Sequence, residues 1–262
     1  MPFTLAHAVA ALPFRRTKLI TSGLVIGCFA PDFEYFLRLV PQGRFGHTLP
    51  GLIALDIPLG LVVFWLYHKY AKGSLRLWMP KGIRLRMEPN PDAAPFEGAV
   101  HVALVLVSIL VGATTHIVWD SFTHPSFWPY QHWRFLSYTV LLPIAGSVQI
   151  YKLLQHGSTA FGMIVLLIWF VRHPSTSNSQ NVANRRFNER IVFVFLPAIA
   201  LTGGALRAFF GVGSPHGLHR MGMFTAEAVI TTISLFWLEL VILGLLRHRE
   251  SSVAQNARLD AL

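Results

Sequence analysis

The chain is poor in cysteine and in charge. Cys28 is the single thiol in 262 residues, which excludes an internal disulfide and a Cys-X-X-Cys site. Charged residues make up 13% of the sequence, against about 25% in a soluble domain. Carboxylates are the scarcer sign, with 12 Asp and Glu against 22 Lys and Arg. There is no Gly-X-Ser-X-Gly elbow, no glycine-rich phosphate loop and no His-Glu-X-X-His motif, so the nucleophile and phosphate-cradle devices of soluble enzymes are missing. No internal repeat or low-complexity tract is present. The first residues carry no short apolar core followed by a small-residue cleavage site, so insertion into a membrane is expected to rely on internal segments.

What fills the chain instead is apolar. Hydrophobic residues are 53% of it and the mean hydropathy is +0.50. This composition is that of an integral membrane protein, with room for about five to seven spans of about 20 residues each. The expected fold is all-α: a multi-pass bundle forming a single integral membrane domain over residues 1–262, one of its segments re-entrant. A net charge of +10 raises the possibility of nucleic acid. The basic residues cluster in short stretches between apolar runs, however, as the positive-inside rule describes. Membrane lipids are therefore the expected partners, nucleic acid is not, and the expected location is a membrane.

Along the chain, residues 3–13 read as a short amphipathic or buried segment and 18–30 as a short apolar one. Residues 47–67 form a strong span whose first half is interrupted by Pro50, Asp56 and Pro58. A polar stretch over 68–97 carries Lys69, Lys72, Arg76, Lys81, Arg84 and Arg86. Residues 98–120 form the next strong span, followed by an aromatic loop with Trp128, Tyr130, His132 and Trp133 of the kind found at membrane interfaces. Residues 135–153 are broken by Pro143, Gly146 and Gln149, and 159–171 are apolar but short. If both crossed, the basic loop 172–190 would fall on the outer side, so one of them is expected to be an incomplete span. The Ser/Asn-rich part of that loop reads as mobile. Two further spans, 191–210 and 221–246, close the chain. The charge of 68–97 places that loop in the cytoplasm, so the start of the span before it and the end of the span after it share the opposite face.

That argument brings His47 to the same surface as the most informative segment of the sequence, Gly112 to Pro125. On a helix His116 and Asp120 are four apart and share one face, and His124 continues it. An imidazole and a carboxylate so arranged can hold a divalent metal such as zinc. A carboxylate inside a membrane span costs roughly 2.5–3.5 kcal/mol, which makes a partner or a function the default expectation. The plainer reading is an Asp that caps and pairs with a neighbouring His. His7 fits either a hydrogen-bonded core histidine or a ligand. Asp32 and Glu34 follow Pro31, where a helix N-terminus would use Asp as cap and Glu against the dipole; Asp32 fits a ligand as well as a cap, and Glu34 fits a cap or a residue that orients a ligand. Asp56 can satisfy backbone groups freed by Pro58, pair with a base, or orient a ligand. His101 lies too deep to share a site with His116. His124 and His132 fit extra ligands or interface residues, His216 and His219 have weaker claims, and Arg207 either snorkels or holds an anion.

Four motifs occur in order: Met1-Pro2-Phe3-Thr4-Leu5-Ala6-His7, Val25 to Phe36 with Pro31-Asp32-Phe33-Glu34, Gly46-His47-Thr48-Leu49-Pro50-Gly51, and the segment from His116 to His124. Together they resemble the bacterial membrane proteins of domain-of-unknown-function family 4184, over most of the chain. The chain is more distantly similar to the LexA-regulated, membrane-bound metal-dependent hydrolases. That similarity implies His7, Asp32, His47, His116 and Asp120 as metal ligands. It departs at Leu49, where those hydrolases have Ser, and at Glu34-Tyr35, where they commonly continue Asp-His. The His-X-X-X-Asp pair is also similar to zinc-dependent phospholipase C, over two residues only. The function expected from this is a metal-dependent hydrolase, with zinc as the expected ion, acting on a phosphoester or lipid-like substrate at the non-cytoplasmic face, with Glu34 or His124 as general base. The alternatives are a transporter or scaffold whose His/Asp cluster relays ions, or polar residues that only hold helices together.

Overall fold

A computed structural model describes residues 4–79, 96, 98–143, 146–172, 187–214 and 217–259. Among them, five helices are long and apolar enough to cross a membrane: Leu49–Arg76, Gly98–Ser121, Ile150–Arg172, Val194–Val212 and Arg220–Glu250. This is the expected all-α membrane architecture. The chain divides into two compact units. The first comprises Met1–Phe33, Arg44–Phe64 and Phe96–His173; the second comprises Glu34–Gly43, Trp65–Pro95 and Pro174–Leu262.

The first unit opens with a 3-10 helix, Thr4–Arg16, followed by α1 (Thr21–Phe29) and a 3-10 turn, Ala30–Asp32. Helix α3 starts at Leu49 and runs to Trp78, with π-helical turns at Leu52–Asp56 and Tyr67–Ala71. Pro50 does not interrupt this helix. Thr48 is its N-cap, accepting from Gly51 N at 3.0 Å, and Pro50 occupies the first turn, where a missing N–H costs nothing. Pro58 follows the first π turn, the kind of local widening that accommodates a lost backbone donor. Helix α4 (Gly98–Ser121) runs antiparallel to α3: Leu52 clusters with Ala113 and Ala30, while Gly60 faces Ile109.

Helix α1 lies against α4 at backbone contact. A Cβ on Gly27 would overlap the Ile109 carbonyl, and one on Gly112 would overlap the Leu24 carbonyl and Cys28 N. Only glycine permits that approach. Beyond α4 come α5 (Trp128–His132), a 3-10 turn (Arg134–Ser137) and α6 (Ile150–Arg172).

Residues 135–153 are not a span. They form an antiparallel hairpin of β1 (Thr139–Leu142) and β2 (Gly146–Gln149), paired from Thr139↔Gln149 to Leu142↔Gly146. Pro143 and a left-handed Gly146 (φ 68°) sit at its turn. The segment read as the short span 159–171 begins at Ile150, giving one full helix of 23 residues.

In the second unit are α2 (Phe33–Arg38), the latter part of α3, α7 (Phe187–Val212) and α8 (Leu218–Leu259). Helices α7 and α8 form a hairpin whose close contact passes through Gly204 against Ala228 and Thr232. Lys69, Lys72 and Arg76, read as loop residues, lie on α3. The basic positions 81–86 and the Ser/Asn-rich stretch 173–186 fall outside the described residues.

Candidate metal centre

Five side chains from four places in the first unit meet at one point. His7 comes from the opening 3-10 helix, Asp32 from the turn after α1, His47 from the residue before the α3 cap, and His116 and Asp120 from successive turns of α4. All but His47 are almost wholly buried. Asp32 Oδ1 lies 3.5 Å from His47 Nε2 and 3.7 Å from His116 Nε2. Asp120 Oδ2 lies 3.6 Å from His47 Nε2 and 3.5 Å from His116 Nε2. The second oxygen, Asp120 Oδ1, is 3.3 Å from His7 Nε2. The expected convergence of His47, His116 and Asp120 is what the structure contains.

These are contact distances without hydrogen-bond alignment. His7 Nε2, His116 Nε2, Asp32 Oδ1 and both Asp120 oxygens are buried and have no hydrogen-bond partner among the described residues. An orphaned buried carboxylate is costly, so one such atom already asks for an explanation and this convergent set asks for a common one. The spacing suggests it. Neighbouring donors around an ion with bonds of about 2.0–2.2 Å stand about 3.3–3.6 Å apart, close to the 3.5–3.7 Å of the four histidine–carboxylate contacts made by Asp32 and Asp120 with His47 and His116. The triplets His7, His116, Asp120 and Asp32, His47, His116 each bring their donor atoms within 4.8 Å of one another, and could hold a metal ion.

The surrounding contacts orient these donors. His116 Nδ1 is 2.7 Å from the Cys28 carbonyl. A carbonyl only accepts, so Nδ1 carries a proton and Nε2 is the ring atom that faces the carboxylates. This is the usual outer contact of a metal-bound histidine. It depends directly on the glycine contact of α1 with α4. Thr4 Oγ1 donates to Asp32 Oδ2 at 2.6 Å, leaving Oδ1 turned to the imidazoles. A Cβ on Gly46 would overlap the Pro31 carbonyl and stand 3.1 Å from Asp56 Oδ1, so the His47 turn is pressed between the Asp32 turn and the buried Asp56. The rings of His7 and His116 stack at 3.9 Å, and Trp119 meets His7 edge-on at 5.8 Å. Burial lowers the pKa of His7 against the opposing contact with Asp120, which favours the neutral ring a metal needs.

The matching profile is that of "Domain of unknown function (DUF4184)", over residues 1–245. The chain belongs to the DUF4184 family. No curated protein and no solved structure matches it, and the similarity to metal-dependent hydrolases gains no support from these comparisons. For this DUF4184 protein the chemistry must be read from the geometry.

The remaining candidates separate clearly. His124 borders the cluster: its Nδ1 is 3.6 Å from Asp120 Oδ2 and 3.2 Å from both the Asp120 carbonyl and Thr123 Oγ1. Glu34 belongs to the second unit, where it pairs with Arg38 Nη2 at 2.8 Å. His132 stacks on Trp128 and bonds the Trp128 carbonyl at 2.9 Å. Arg207 pairs with Glu227 at 3.3 Å rather than standing alone. His216 lies outside the described residues, and His219 is placed on α8 by its backbone alone. Residue-type reasoning missed Thr4, the Cys28 carbonyl and Trp119. Thr4 sits in the opening motif, but nothing in its type marks it as the partner of Asp32.

Proposed function

We propose that the cluster holds a divalent metal ion, zinc being the best match to its donors, and that the protein is a membrane-embedded metal-dependent hydrolase. The carrying observation is the set of buried, unbonded donor atoms on His7, Asp32, His116 and Asp120, spaced as a nitrogen and oxygen metal site requires. His47, His116, Asp32 and Asp120 would hold the ion, with His7 bearing on the second oxygen of Asp120. A divalent ion held there would supply Lewis acidity, acidifying water and polarising a phosphoryl or carbonyl oxygen.

The chain's own contribution to hydrolysis is proton handling and exclusion of water. His124 Nδ1–H donates to the Asp120 carbonyl, which leaves Nε2, without a hydrogen-bond partner among the described residues, as the base. Burial lowers the His124 pKa against the opposing charge of Asp120, which favours the neutral ring. In the proposed reaction water adds across an ester bond. Its oxygen joins the phosphorus or carbonyl carbon, His124 takes its proton, the bond to the alcohol oxygen breaks, and the alcohol leaves with that proton.

The proposed orientation puts the cluster at the non-cytoplasmic face of a bacterial inner membrane. With 135–153 a hairpin, five crossings put residues 79–97, the loop after Arg172 and the tail after Glu250 on one side, and the basic residues of those stretches favour the cytoplasm. The same geometry allows a second reading in which the carboxylates and imidazoles share protons in an ion relay. Metal analysis of detergent-purified protein, prepared without chelator and with added zinc or manganese, decides between them. The expected result is stoichiometric metal, a thermal midpoint that falls on chelation, and metal-dependent turnover of a phospholipid or phosphodiester. Metal-free protein whose stability ignores chelator would overturn the metal reading, and stoichiometric metal without turnover of any ester would overturn the hydrolase.

A further inference from the structure

We infer that the substrate of this centre carries an acyl chain, which lies in an apolar groove between the opening 3-10 helix, α4 and α6; the inference rests on the hydrolase reading above. The groove encloses about 540 Å³ and is lined by Ala10, Pro13, Val118, Trp119, Thr123 and Leu154 among others, within the range of ligand pockets. Its hydroxyls are already committed to backbone. Thr114 bonds the Leu110 carbonyl, Thr115 the Gly112 carbonyl, Thr123 the Asp120 carbonyl and Ser158 the Gln155 carbonyl. With these hydroxyl hydrogens taken up and most of the remaining lining apolar, the groove favours an apolar ligand.

Its position supplies the occupant. Val118 is 55% exposed and Leu154 42% exposed, on two helices long and apolar enough to cross the membrane. The solvent facing those surfaces is lipid acyl chain. The groove is not an ordinary lipid-facing dent, because one end is built from the metal centre's own neighbours. Trp119 forms groove wall and also meets the His7 ring edge-on at 5.8 Å. Thr123 lines the groove and places Oγ1 3.2 Å from His124 Nδ1. From Thr114 to Thr123 the groove follows nine residues of α4 and the turn after it, about 14 Å at 1.5 Å per residue. A chain lying along it would deliver the ester at its head to Asp120 and His124, while the chain itself stays in the bilayer.

The test is photo-crosslinking of the full-length protein in nanodiscs containing a phosphatidylglycerol with a diazirine near the middle of one acyl chain, with labelled peptides mapped by mass spectrometry. Label is expected to concentrate on Thr114–Thr123 and around Leu154. Val118→Trp, which fills the groove, should lower that label by about tenfold. Val107→Trp, on an exposed position of the same helix outside the groove, should leave it unchanged. Label spread evenly over the exposed faces of α4 and α6, or insensitive to Val118→Trp, would overturn the inference. Metal content measured on the same samples keeps the two readings apart. Bound metal with unfocused label rejects the groove and leaves the hydrolase standing. Focused, Trp-sensitive label on metal-free protein supports chain binding in the groove and rejects the hydrolase.

Discussion

In the second unit, Arg207 meets Glu227 across the α7–α8 hairpin at 3.3 Å, one cation to one anion. Gly211 leaves the room, since a Cβ there would overlap the Arg207 guanidinium. In the first unit, Asp32 and Asp120 are met within 4 Å by His7, His47, His116 and His124. An arginine is always charged, so the α7–α8 pair is electrically complete as folded. An imidazole is charged only when protonated. Among the described residues, the two buried carboxylates are therefore compensated by bound protons or by a cation held in their midst. The difference teaches where function lies: a matched pair can be architecture alone, whereas a cluster whose charge balance depends on something taken up from outside is a binding site.

The widest separation between the two regions is expected from removing one carboxylate charge in each. Asp120→Asn keeps the shape but removes the charge of the side chain that touches His7, His47, His116 and His124 together. Metal affinity should fall by more than about a hundredfold, beyond the 10–100-fold lost on mutating outer contacts. The metal-dependent part of stability should vanish with it, about 4 kcal/mol at a metal concentration a thousand times Kd. Glu227→Gln should leave metal content untouched. Its stability cost should be about 1 kcal/mol, the upper end for a pair whose Arg207 is partly exposed. Bound metal per chain and thermal midpoints with and without chelator, for both variants, make the comparison. Equal metal content in wild type and Asp120→Asn would remove the contrast.

A second break concerns glycine. Gly112→Val pushes a branched side chain into the Leu24 carbonyl and Cys28 N, so α1 must leave α4. The expected loss is about 1–3 kcal/mol from overpacking, with weaker metal binding because the Cys28 carbonyl no longer fixes His116. Gly73 on α3 has nothing within 4 Å of its Cβ position. Gly73→Ala should be neutral or stabilising by up to about 1 kcal/mol from helix propensity. Thermal unfolding of the two variants in one detergent checks this. A Gly112→Val protein as stable as wild type would mean that the α1–α4 contact is not what holds His116.

How far these features were legible follows from what each depends on. His116 and Asp120 could be paired from spacing because a helix dictates that residues four apart share a face. His47 joined them through the antiparallel sense of two strong spans, which length and loop charge determine. Asp32 and His7 were within reach only as motifs, since their approach runs through the Gly27–Gly112 contact and no local pattern announces which helices touch. Glu34 was chosen because it neighbours Asp32 in sequence, yet it starts a different helix and answers Arg38 at i+4. Residues 135–153 misled because apolar strands and a broken apolar helix look alike over short runs, and Pro143 with Gly146 marks a hairpin turn as readily as a helix break. The groove and the Thr4 contact were invisible because both arise from side chains whose types carry no signal.

The smallest expected effect is also the sharpest on how the cluster is oriented. Thr4 Oγ1 donates to Asp32 Oδ2 at 2.6 Å, across 28 residues. Thr4→Val keeps the shape and removes the donor, so Asp32 becomes free to turn Oδ1 away from His47 and His116. If Asp32 is a ligand, that loss should weaken metal binding by about tenfold, the lower end of what outer contacts contribute, with the fold retained. Thr4→Ser, which restores a hydroxyl, should recover most of the affinity. Competition for zinc against a chromophoric chelator, in detergent, reads both variants. A Thr4→Val protein with wild-type affinity would show that Asp32 is oriented without Thr4 or does not bind the ion, and Asp32→Asn in the same titration tells which: unchanged affinity takes Asp32 out of the ligand set and leaves Asp120 with the histidines, while a steep loss keeps it there and leaves Thr4 as packing.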